Sequence, residues 1–154
     1  MRRAYLISIF ISTLVIFNSN TQAAIFRVDD SATLPGESQT KMRWRSLGPN
    51  HSNGDVVDGA ALITIRLKTL PWINRVGKIY MVLPQQPIGQ VLVDWTTQGN
   101  LLSGALISGN RTLVYAGQIH SAMIEDTINI QVHSDGKRLV SAQKLEFHFE
   151  IDMD

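Results

Sequence analysis

The strongest signal along the chain is alternation of apolar and polar residues with a period of two. Ile63, Ile65 and Leu67 alternate with Thr64, Arg66 and Lys68. Ile128, Ile130 and Val132 alternate with Asn129, Gln131 and His133. Leu145, Phe147, Phe149 and Ile151 alternate with Glu146, His148, Glu150 and Asp152. Successive side chains of a strand point to opposite faces, so each stretch offers one face to a core and the other to water. Half-buried strands of this kind belong to antiparallel sheets. Shorter runs at Ile25–Val28, Met42–Ser46, Lys78–Leu83, Gln90–Trp95, Leu101–Ile107 and Arg111–Ala116 read as further strands.

The punctuation between these runs agrees. Gly109-Asn110 and Asp135-Gly136 suit tight hairpin turns, because Gly and Asn tolerate positive φ. Pro84 and Pro87 bracket a loop, and the polar, glycine-rich stretch Gly48–Gly59 reads as another. Ser121–Asp126 has room for one helical turn, and no longer helical period follows the first segment. Many short strands at close spacing predict a single all-β domain, a sandwich or small barrel, over residues 24–154.

The first segment stands apart. Arg2 and Arg3 precede the uncharged run Ala4–Phe17, and a polar stretch leads to Thr21-Gln22-Ala23. A positive end, a short apolar middle and small residues before a cut after Ala23 form the pattern of a secretory signal peptide, residues 1–23. At ~1.5 Å per helical residue the apolar run spans about 21 Å, short of a ~30 Å hydrocarbon core. The expectation is export to the periplasm, and then to the cell surface or medium, with no transmembrane segment after Ala23.

Composition narrows the function. The whole chain of 154 residues carries a formal charge of +1, which argues against a nucleic-acid binder working by bulk electrostatics. It has no cysteine, which excludes a disulfide framework, thiolate metal ligands and a cysteine nucleophile. An exported domain without disulfides points to a bacterial rather than a eukaryotic secretory route. No nucleophile elbow, phosphate loop, dinucleotide fingerprint or H-E-x-x-H occurs, so an enzyme is not expected, and neither is a cofactor or a metal.

Several residues nevertheless carry candidate chemistry. His148 and Glu150 share a strand face and would need His133 beside them to hold a metal; a solvated face is the plainer reading. The acidic pairs Asp29-Asp30 and Asp55/Asp58 lie in polar, turn-like sequence, which does not raise a carboxyl pKa for catalysis. Trp44, Trp72 and Trp95 would offer stacking faces to a sugar if they were exposed together, whereas aromatics in a sandwich more often pack in its core. Arg43 and Arg45 flank Trp44 and would present two cations on one face as a surface contact.

The signal through Ala23, the extended segment Ala24–Leu34 and the alternating strand Lys144–Asp152 resemble the layout of chaperone–usher fimbrial subunits of Gram-negative bacteria. The resemblance covers layout over most of the chain after Ala23. It implies an immunoglobulin-like antiparallel sandwich, complete or lacking one strand, and assembly by strand addition. The implied partners are a periplasmic chaperone and neighbouring subunits. The implied partner edge is Leu145, Phe147, Phe149 and Ile151, and the donor-like residues of the N-terminal segment are Phe26 and Val28. The family's near-terminal Tyr and upstream Gly are missing from the end of this chain, which favours a minor or accessory subunit of a surface fimbria. The alternative is a periplasmic or secreted β-sandwich module that binds a carbohydrate or a protein. Being last in the chain, Leu145–Ile151 is expected to form an open sheet edge unless Ala24–Val28 pairs with it.

Overall fold

The computed structural model describes residues 24–35, 43–44, 56–87, 89–135 and 145–153. Among these residues, ten strands and one short 3₁₀ turn follow in order: β1 (Ala24–Val28), β2 (Leu34–Pro35), β3 (Arg43–Trp44), β4 (Val56–Lys68), the turn Leu70–Trp72, β5 (Val76–Leu83), β6 (Val91–Thr97), β7 (Gly104–Ile107), β8 (Asn110–Gln118), β9 (Met123–Asp135) and β10 (His148–Met153). They form two antiparallel sheets. One has the order β1-β10-β5-β8. The other runs from β4 through β9 and β6 to β7, with β2 and β3 both pairing to the free side of β4. No helix among the described residues is long and apolar enough to cross a membrane.

The alternation seen in the sequence turns the apolar residues of both sheets toward each other. Ile79, Met81, Leu83, Phe149, Ile151 and Met153 face inward from the first sheet, and Ile65, Leu67, Val91, Val93, Trp95, Ile128 and Ile130 from the second. The product is the expected all-β sandwich around one core. The tight turn at Gly109 forms, with φ of 91° at that glycine, but it does not close the expected hairpin: β7 pairs with β6 in one sheet and β8 with β5 in the other, so the turn links the two sheets.

Two local expectations are corrected. Residues 56–59, assigned to a loop, open β4, because Val57 and Gly59 are buried and pair with Ser134 and Val132. Residues 123–126, given to a helical turn, begin β9, where they complete a thirteen-residue ladder with β4. Burial of Ile124 and Asp126 against that ladder outweighs any local helical tendency. At the chain's end the second of the two outcomes left open by the sequence holds, with Ala24–Val28 pairing to the last strand. β10 is not an edge: it pairs with β5 on one side and with β1 on the other. Strand order in a sheet need not follow chain order, and here the N-terminal strand reaches the C-terminal one.

Candidate functional site

The pairing of β1 with β10 brings the two ends of the described chain together. Phe26 stands opposite Ile151 and Val28 opposite Phe149. Opposed residues of an antiparallel pair share a face, so Phe26 and Val28 turn to the core side of β10. Phe149 and Ile151 are fully buried, while Leu145 and Phe147 precede the strand and pack half-buried against the core. Met153 continues the same inward row, a core position that the sequence reading missed because it stopped at Ile151.

β1 itself is lightly held. Its burial pattern leaves Ala24, Ile25, Phe26 and Arg27 exposed and only Val28 buried. Phe26 is 45% exposed and rests against the Trp72 ring, with centroids 6.2 Å apart. Burying Val28 is worth about 1.5–3 kcal/mol, little to hold a five-residue edge strand. The root of the strand is fastened by a small polar latch. Lys68 N–H donates to the Asp29 carbonyl at 2.9 Å, and Lys68 Nζ donates to Asp29 Oδ2 at 2.9 Å and to Ser31 Oγ at 3.1 Å. Ser31 N–H donates to Asp29 Oδ1 at 3.0 Å. The hydrogen bonds from Ser31 and Lys68 hold the Asp29 carboxyl well below the usual carboxylate range. Asp29 therefore serves as an ionised anchor.

On the outer face of the same sheet, Arg111 spans three strands. Its guanidinium lies 4.2 Å from the centre of the Tyr80 ring and makes a two-pronged contact with Asp152 at 2.9 and 3.0 Å. Glu150 lies 3.5 Å from the same guanidinium, and Asp152 chiefly raises the Arg111 pKa. This network ties β8, β5 and β10 together and leaves β1 outside it.

No family model, curated protein or solved structure matches this chain.

The other sequence candidates fall in different places. His148 Nε2 lies 3.4 Å from Glu150 Oε1 on β10, whereas His133 lies on β9 in the other sheet, so the three do not meet. His133 instead sits between Asp58 and Asp94, with ring nitrogens 2.6 and 3.1 Å from their carboxylates. Among the described residues no group of three His, Asp or Glu side chains is placed to hold a metal ion. The surface imagined for three tryptophans does not form, because Trp72 and Trp95 are buried in the core. Trp95 Nε1–H donates to the Leu102 carbonyl at 2.8 Å, which satisfies its one polar atom there. Arg43 and Trp44 form β3 beside Asp58 and Val57 of β4, and Arg45 lies outside the described residues. Asp55 and the signal segment 1–23 also lie outside them. The polar latch at Asp29 escaped sequence reading, since nothing local places Lys68 beside residues 29–31.

Proposed function

We propose that this chain is an exported accessory or minor subunit of a bacterial surface fimbria, assembled by exchange of its N-terminal strand. The observation that carries the reading is the cover on β10. Among the described residues, one long side of this core strand is closed by β1 alone, a five-residue segment with four exposed residues. A second copy's Ala24–Val28, or a chaperone strand, would make the same main-chain hydrogen bonds, and apolar side chains at alternate positions would take the places of Phe26 and Val28. The intact chain in isolation would be the self-closed form, and exchange between copies would give the fibre. Exchange in which each copy donates to a different neighbour propagates, whereas reciprocal exchange between two copies would close into a swapped dimer.

The chain's lack of cysteine makes a direct test clean. Arg27 and Glu150 are opposed on the outer face of β1 and β10. An Arg27→Cys, Glu150→Cys double variant, exported from its native cell and bridged with a short bismaleimide, should run as a ladder of covalent multimers on a denaturing gel. Bridged monomer alone, from surface material and from concentrated protein alike, would overturn the reading.

A further inference from the structure

The closed chain shows where a donated strand has to end. Val28 is 1% exposed and stands opposite Phe149, and Phe26 rests on the Trp72 ring. A second copy's Ala24–Val28 fills both places in the native register, because a slip by one residue would turn both side chains away from the core. Consecutive Cα atoms lie ~3.8 Å apart, so that register also places the next residue. In the closed chain the next residue, Asp29, bridges Lys68 at the end of β4. A donated Asp29 therefore arrives beside Lys68 of the accepting copy.

Lys68 is equipped to receive it. Its N–H donates to the Asp29 carbonyl at 2.9 Å, and its Nζ reaches both Asp29 Oδ2 and Ser31 Oγ, at 2.9 and 3.1 Å. Arg66, two residues back on the same face of β4, is held by Glu125 at 2.6 Å and does not compete for the Asp29 carboxylate. The Lys68 and Asp29 side chains are 46% and 53% exposed, so the pair is open to a segment arriving from outside. The two residues lie 39 positions apart, and no bond of the latch requires that they belong to one chain.

We propose that in the exchanged form the latch closes between copies, with Asp29 and Ser31 of the donor held by Lys68 of the acceptor. The inference rests on the strand-exchange reading and adds an element of choice to it. The acceptor takes an apolar strand followed directly by an acidic residue, as in Phe26-Arg27-Val28-Asp29. Main-chain pairing is indifferent to sequence, and a strand with one buried residue discriminates little by its side chains. A positive charge after the donated strand would meet Lys68 repulsively, so the lysine rejects a wrong donor as well as favouring the right one. The same latch closes within a chain and between chains. A change at one of its members therefore acts on both forms, and only paired changes in two copies separate them.

The test uses two chains with one cysteine each, Arg27→Cys on the donor and Glu150→Cys on the acceptor, mixed to equilibrium and bridged briefly with a short bismaleimide. The donor is made with and without Asp29→Lys, and the acceptor with and without Lys68→Asp. Neither change alone should raise the yield of bridged dimer, since the like-charge contact relieved in one closed chain reappears between the chains. Together they should raise it about tenfold, because both closed forms then carry like charges while the pair between copies is again opposite in sign. Salt at ~1 M should remove most of that gain. Each chain is checked for a cooperative urea transition. If a charge-reversed chain lacks one, the same cycle with Asp29→Asn and Lys68→Met should give a yield about twofold above the product of the single effects. If the single effects simply multiply, the latch does not close between copies, and the inference is overturned while strand exchange stands. If no combination gives a bridged dimer, strand exchange falls and the inference falls with it.

Discussion

At the scale of single residues, burial separates neighbours that look alike in the sequence. Phe149 is 2% exposed, while His148 beside it turns to the outer face. Phe149→Ala should destabilise the fold by about 3–5 kcal/mol through lost transfer energy and a residual cavity. His148→Ala should stay within about 1 kcal/mol, because the side chain removed is outward and weakly bonded. Urea denaturation of the two variants checks this directly. Asp29 makes a second residue-scale prediction. Its folded pKa is depressed, so its stabilisation is complete above the ordinary carboxylate value of about 3.9 and is lost as pH falls below it. Lys68→Met removes a partner of the ionised carboxylate. The urea midpoint of that variant should fall less steeply than the parent's between about pH 4 and pH 2. Neither Asp29 nor Lys68 could be paired from sequence, because the contact joins residues 39 positions apart.

Among the elements, β1 and β9 are the extremes. β9 lies between β4 and β6 and carries an inward row from Ile124 to Ile130, all buried. β1 is an edge with one buried residue. Local opening free energy follows buried contact and ladder position, so β1 amides should exchange with solvent much faster than those at the centre of β9. A mass-spectrometric exchange series would report it. Equal protection of the two strands would mean that β1 is a permanent part of the fold, and would remove the physical basis for strand exchange. The pattern of β9 from Ile128 to Val132 was legible because its alternation is strict. Its first residues were not, since Met123–Asp126 puts an acidic residue on the inward row and so breaks the hydrophobic register.

For the whole molecule, the consequence is that folding must join the two ends of the described chain. β10 is an inner strand, so it needs both β5 and β1, and the β1 partner is more than a hundred residues away in sequence. Non-local pairing of this kind is paid in loop-closure entropy before its contacts form, so refolding should fall in the ~millisecond-to-second range of all-β domains. Removing His148–Met153 takes out an inner strand with three core residues and should leave no cooperative unfolding transition. The same view of the molecule gives an optical check. In a Trp44→Phe chain the remaining indoles, Trp72 and Trp95, should emit at short wavelength and resist quenching by acrylamide, because both are buried.

The sequence by itself determined the strand class, the inward and outward rows of β4, β9 and β10, and the turn at Gly109. These depend on period-two patterning and backbone stereochemistry, which act over a few residues. Only the tertiary structure decided that the last strand is internal, that Trp72 and Trp95 are core, and that Asp29 is latched to Lys68. Each of those depends on which strands become neighbours. Local alternation says which face of a strand is buried. The partner that buries it is chosen by the packing of two whole sheets around a shared core.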